Sequence, residues 1–166
     1  EDGKEAEVFA LVGPPVYEAS WLELERDGWI APARCVEVRI PASGSPADSL
    51  RYRMAVVQRL LAQHDGAAVL VVGTDVNALR SIGRRLRFPV LTGASTNERR
   101  AELLEAYRSG SLRTLGLSRI GSVGIDLPDA SVLIQVSGTF GSRQEEAQRL
   151  GRLLRPAAGK TAHFYT

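Results

Sequence analysis

The stretch AAVLVVGTDVNALRSIGRRLRFPVL, residues 67–91, decides the fold. Ala67 to Val72 is a continuous apolar run, as in a strand buried on both faces of a parallel sheet. Residues 75–86 then change period. Val76, Leu79, Ile82 and Leu86 fall on one helical stripe. Phe88 to Leu91 returns to a short strand. A strand, a helix and a strand within so few residues make one β-α-β unit.

The same rhythm extends in both directions. Upstream, Leu50, Met54, Val57 and Leu61 share a face, which predicts a helix over 48–64. Before it, Val36, Val38 and Ile40 alternate with Glu37 and Arg39, which predicts a strand ended by Pro41. Ser20-Trp21-Leu22-Glu23 fits a capping box, with Gly28 as the stop, so residues 20–27 read as a short helix. Downstream, Ser95-Thr96-Asn97-Glu98 is a second capping box that opens a helix through about Arg108. Leu112 to Ser118, Ser131 to Val136 and Ala162 to Tyr165 read as strands, and residues 142–154 as a helix. The expected fold is α/β: three layers, with a mainly parallel central sheet and helices on both faces.

Length and composition agree. The 166 residues are 44% hydrophobic and 24% charged, enough for one domain with a real core and unlike collagen, a disordered tail or a disulfide scaffold. No apolar run approaches the roughly 18–20 residues of a membrane span. The acidic start Glu1-Asp2-Gly3-Lys4-Glu5 is no signal peptide. With Cys35 as the single cysteine, no internal disulfide can form, which fits a reducing compartment such as cytoplasm or nucleus. The net charge of +2 divides unevenly: residues 1–50 carry −6 and residues 51–166 carry +8. Nineteen of the 21 basic residues are Arg, the better residue for bidentate phosphate recognition. A basic body of this kind permits a polyanionic partner.

Ligands of a parallel sheet bind beyond the carboxyl ends of its strands. Three loops there are rich in the right chemistry. Thr92-Gly-Ala-Ser-Thr96 offers hydroxyls and free amides at a helix N-terminus, suited to phosphate or to ordinary capping. Ser118-Arg-Ile-Gly-Ser-Val-Gly-Ile-Asp-Leu-Pro128 carries Gly121 and Gly124, which allow close approach, and Asp126. Gln144 to Arg155 places Arg149, Arg152 and Arg155 at three-residue spacing near one helix face, with Gln148 close by. Glu145 and Glu146 could neutralise them as a solvated, salt-bridged face. Gly151, costing about 0.5–1 kcal/mol relative to Ala in a helix, is easier to understand if a ligand comes close. Gly159-Lys160-Thr161 is no Walker A motif, since Leu154 stands where the motif needs glycine. His64 and His163 read as isolated, on unrelated elements, and no metal site is expected.

Gln148-Arg149-Leu150-Gly151-Arg152-Leu-Leu-Arg155 resembles motif VI of superfamily 2 helicases, Q-R-x-G-R-x-x-R. Gly124-Ile-Asp126-Leu-Pro128 resembles motif V at the expected distance upstream. The block Gly141 to Pro156, and Tyr17 to Ala33, are similar to the XPB-type DNA repair helicases in particular. DEAD-box RNA helicases are disfavoured because they usually carry His where Gln148 stands.

This resemblance implies the C-terminal RecA-like lobe of a two-lobed, ATP-dependent DNA helicase. Residues 1–33 would be the interlobe connector and 34–166 the lobe. ATP with Mg would be bound mainly by the N-terminal lobe of the same polypeptide, which carries the P-loop. By similarity, Arg152 and Arg155 would be arginine fingers, and Gln148 would lie at the interlobe cleft. Asp126, Gly124 and, less directly, Arg149 would meet nucleotide. Ser118, Gly93, Ser95, Thr96 and, more weakly, Thr74 would meet the DNA backbone. Partners would be DNA and repair factors, a nuclease among them.

Two departures stand out. Glu145 replaces the family's first Gln, with Gln144 one place off. The family's helical thumb insertion is absent or truncated at about 41–49. Arg80, Arg84, Arg85 and Arg87 form a basic cluster that reads as a solvated helix face. Two rivals remain: another superfamily 2 lobe, such as a restriction-type duplex translocase, and a non-catalytic nucleic-acid-binding scaffold. In a dead motor, motif VI should have decayed.

Overall fold

A computed structural model of the protein describes residues 20–42, 44–118, 130–137, 155–157 and 159–166. The expected helix over 142–154 lies outside these residues. The elements are α1 (Trp21–Arg26), β1 (Ala33–Val36), α2 (Pro46–Gln63), β2 (Val69–Gly73), α3 (Val76–Leu86), β3 (Val90–Leu91), α4 (Asn97–Arg108), β4 (Thr114–Ser118), β5 (Val132–Ser137) and β6 (Ala162–Tyr165). The six strands form one sheet in the order β1-β6-β5-β2-β4-β3, and every pairing is parallel.

The period of two along the strands divides the core. Leu70, Val72, Leu115, Leu117, Leu133 and Phe164 face α4, meeting its Leu103, Leu104 and Tyr107. Val69, Val71, Val132, Ile134 and Tyr165 face the other way, against Val57 and Leu60 of α2 and Leu79 and Ile82 of α3. Helices therefore cover both faces. Every residue of β2 is buried, as its unbroken apolar run requires.

Capping residues set the helix starts. At α1, the Ser20 hydroxyl accepts from Glu23 N, and the Glu23 carboxylate accepts from Ser20 N at 2.8 Å. The bond from the Ser20 backbone N–H, and secondarily one from the Ser20 hydroxyl, hold the Glu23 carboxyl below its ordinary pKa. At α3, Asp75 Oδ1 accepts from the amides of Asn77 and Ala78. Helix α2 begins at Pro46 behind the Ser45 cap, slightly earlier than its apolar stripe alone predicts.

Several expected boundaries move. The strand expected over Val36–Ile40 lies at Ala33–Val36, paired residue for residue with Ala162–Tyr165 of β6. Val38 keeps one further bond, to Thr166 O at 2.7 Å. The Phe88–Leu91 strand shortens to Val90–Leu91: Phe88 N is spent on Gly83 O, closing α3 with Arg87 at φ 61°. The capping box at Ser95–Glu98 is offset. Thr96 is the cap, accepting from Arg99 N, while Ser95 turns back towards Thr92.

Gly83 is the tightest contact between α3 and the sheet edge. A Cβ there would stand 2.6 Å from Val90 Cγ2 and 2.9 Å from the backbone oxygen of Phe88. Alanine in a helix ordinarily gains about 0.5–1 kcal/mol over glycine. Here Gly83→Ala is expected to lose about 1–3 kcal/mol through overpacking against backbone. Urea denaturation would check this, and a rise in stability would exclude the close approach.

Candidate functional site

The carboxyl ends of β2, β4 and β5 are level. Gly73 of β2 pairs with Ser118 of β4 on one side and Ser137 of β5 on the other. One strand further, Leu91 pairs with Leu117, which brings the Thr92–Thr96 loop to the same edge. Residues from positions 74, 93–96 and 118 are thus gathered along one rim. Thr74, Gly93 and Thr96 are exposed there, and Ser95 is half-buried. Ser118 differs: it is 3% exposed, buried at the end of β4.

The Thr92–Thr96 turn is tied by four bonds. Thr92 N donates to Ser95 Oγ at 3.0 Å, and Ser95 N donates to Thr92 O at 3.1 Å. Ala94 N donates to Thr92 Oγ1 at 3.3 Å, and Arg80 Nη2 donates to the same oxygen at 3.2 Å. Thr92 is 3% exposed, so its hydroxyl is the buried pin of the turn. With Ser95 turned inward, Thr96 capping α4 and Ala94 N spent on Thr92 Oγ1, the exposed backbone at Gly93 is the part left to meet a ligand.

Ser137 was not among the residues expected at the rim. Its hydroxyl accepts from Asp75 N at 3.1 Å, joining the end of β5 to the start of α3. A strand-terminal serine carries no sequence signal, because its partner is 62 residues away. A side chain at Gly73 would collide with that hydroxyl at 2.9 Å.

Of the expected nucleotide-facing residues, Arg155 alone is described. It is exposed, and its carbonyl accepts from Lys160 Nζ at 3.0 Å ahead of β6. Gly159, at φ 70°, makes that turn, so Gly-Lys-Thr here is a strand entry. Gly124, Asp126, Gln148, Arg149 and Arg152 lie outside the described residues, as do Gln144 and Glu145. ATP needs cationic groups for its phosphates, and the Arg155 guanidinium is of that kind. Its Mg needs several oxygen ligands. Among the described residues no group of three or more His, Cys, Asp or Glu could hold a metal. No described helix is long and apolar enough to cross a membrane.

One expectation is corrected. His64 and His163 are not isolated: their ring centroids are 4.7 Å apart, and His64 Nε2 lies 2.7 Å from the Tyr165 hydroxyl. The end of α2 and the start of β6 meet here, which no local pattern reveals. Burial, and secondarily the neighbouring His163, hold the His64 pKa below its ordinary value. Burial pushes the Tyr165 hydroxyl up, partly offset by Arg34. With its folded pKa depressed, His64 favours the neutral ring. Its contribution to stability is present above the unfolded value of about 6.5 and is lost as pH falls through the folded value. His64→Gln should flatten that part of the stability–pH curve, as measured by denaturation at a series of pH values.

Comparison with known proteins follows this geometry. The profile described as "ERCC3/RAD25/XPB C-terminal helicase" matches residues 47–166. The "DNA 3'-5' helicase XPB" of Mycobacterium tuberculosis is 45% identical over all of this chain, which covers 33% of that protein. Its counterpart in Kineococcus radiotolerans is 46% identical with the same coverage. The "General transcription and DNA repair factor IIH helicase/translocase subunit XPB/SSL2" of Saccharomyces cerevisiae is 34% identical, with 22% of its length covered. The chain spans about a third or less of these curated relatives. Among solved structures, the E. coli DEAD-box protein SrmB, in complex with the regulator RraA, superposes with TM-score 0.60 at 19% identity. That match covers 82% of this chain and 77% of the other. The C-terminal part of the Fun30 ATPase domain gives 0.55 at 20% identity, covering 69% of this chain and 40% of that one. At such identities the structures speak for the fold, a RecA-like helicase lobe, while the profile and the full-length coverage of the chain by its relatives decide its kinship: it belongs to the ERCC3/RAD25/XPB C-terminal helicase family.

Proposed function

We propose that this chain is the second motor lobe of an ATP-dependent DNA helicase or translocase working in DNA repair. The observation that carries the reading is the convergence of Thr74, the Gly93–Thr96 turn and Ser118 on one rim of the sheet. Exposed amides and hydroxyls along such a rim suit a sugar–phosphate backbone, and backbone contacts give binding with little sequence preference. Thr74 and Gly93 would contact the strand directly. Ser118, being buried, would act from beneath, holding the start of the motif V loop.

In this reading Arg152 and Arg155 close over the γ-phosphate of ATP held with Mg by the N-terminal lobe. Bound ATP supplies the free energy for movement. Gln148 stands at the interlobe cleft, and Asp126, Gly124 and Arg149 line the nucleotide side. Residues 1–33 serve as connector and 34–166 as the lobe. Repair factors, including a nuclease, are the proposed protein partners.

The isolated chain should hydrolyse no ATP, and robust turnover by the pure fragment would overturn the reading. In the intact enzyme, Ser118→Ala should lower the stimulation of ATP hydrolysis by DNA. Strand-displacement and duplex-translocation assays on that enzyme separate a helicase from a translocase.

A further inference from the structure

A groove runs beside the rim, between α3 and the β3 edge of the sheet. Asn77, Arg80, Ser81 and Arg84 line one wall, and Phe88 and Pro89 the other. Residues 76–89 contain four arginines and no acidic residue. Arg80 and Arg84 are exposed, and neither enters an ion pair among the described residues. They are one helical turn apart, which sets their Cβ atoms about 5–6 Å from each other on the same face. Two guanidiniums carried on neighbouring turns, with no acidic residue on the same helix, give that face a positive potential that an anion would neutralise.

Arg80 also reaches the pin of the rim turn, donating Nη2 to Thr92 Oγ1 at 3.2 Å. A guanidinium presents five N–H donors, and one hydrogen bond leaves its remaining edge open. Arg80 therefore stands at the junction of the rim and the groove. Arg84 continues the positive line away from it.

We propose that the α3–β3 groove is a second DNA-backbone track, in which Arg80 and Arg84 take successive phosphates of a strand passing the Gly93–Thr96 turn. The proposal rests on the reading of that turn as a DNA contact. The groove supplies charge and spacing with no base-edge recognition, so its contribution is independent of sequence. The Asn77 side-chain amide adds a neutral donor along the same wall, while the Ser81 hydroxyl is spent on Asn77 O at 2.8 Å.

The test is titration of a fluorescent single-stranded oligonucleotide, and of a 3′-tailed duplex, into the intact enzyme over a range of salt. Arg84→Ala should weaken binding roughly three- to tenfold on every sequence and lower the salt slope by about one. Arg84→Lys should keep the slope, because a cation remains. Arg26→Ala, a charge-matched change on α1, should leave affinity and slope as they are. If Arg84→Ala and Arg84→Glu bind as the parent does while Gly93→Asp loses affinity, the track is refuted and the rim reading stands. If none of these changes affects DNA binding, the rim reading falls and the track with it. If Arg26→Ala lowers affinity as much as Arg84→Ala, only bulk charge is at work and the track is refuted.

Discussion

Replacing Arg152 or Arg155 by Ala in the intact enzyme is expected to lower the rate of ATP hydrolysis by about 10³–10⁵. In phosphoryl transfer, charge spreads over the three equatorial oxygens of the transferred group. A planar cation placed there stabilises the transition state more than the ground state, so the loss falls on turnover rather than on nucleotide affinity. Lysine should rescue poorly, since its point charge cannot form two parallel bonds. DNA affinity, which the proposed reading gives to the rim, should change far less. Single-turnover hydrolysis alongside DNA titration would check both halves. Persistent hydrolysis with a collapse in DNA affinity would show that the roles of motif VI and the rim are exchanged.

The second large effect concerns stability. Leu79 of α3 is 0% exposed and packs among Val69, Val71, Ile82 and Ile134 on one face of the sheet. Leu79→Ala is expected to cost about 2–5 kcal/mol, the loss of buried apolar atoms plus the cavity they leave. For a domain of this size each kcal/mol lowers Tm by about 2–4 °C. The neighbouring substitution Ala78→Leu offers a contrast, because Ala78 is only half-buried and faces away from that cluster. Thermal and urea unfolding would check both. A loss below about 1 kcal/mol at Leu79 would mean that the cavity collapses.

Much of this could be read from the chain. The unbroken run at 67–72 required a strand covered on both faces, and β2 is buried throughout. The stripe through Leu79 and Ile82 fixed which side of α3 meets the sheet. Ser20, with Glu23 three residues on, fixed the start of α1, because both partners of a capping box are local. The failures are equally specific. The cap of α4 moved from Ser95 to Thr96 because the Ser95 hydroxyl has a better partner in Thr92 N. Strand β1 shifted because its register is set by pairing with β6, which is more than 100 residues away in sequence.

The arginines of α3 show the same division. Their number and spacing were visible, and as a local pattern they read as a solvated face. That Arg80 bonds Thr92, and that Arg80 and Arg84 line one groove with Phe88, depends on where β3 docks.

What the sequence determined by itself was everything set by short-range periodicity and spacing. That covers the α/β class and the faces of the helices; the likeness to a helicase lobe came instead from the resemblance of its motifs to those of a known family. What only the tertiary structure decided was which distant residues meet: the strand order that levels Gly73, Ser118 and Ser137, the pairing of His64 with His163 and Tyr165, and the arginine groove beside the rim. The physical reason is that helix stripes and caps are formed by residues three or four positions apart. Parallel pairing and side-chain contacts between elements join residues whose separation in sequence carries no periodic mark.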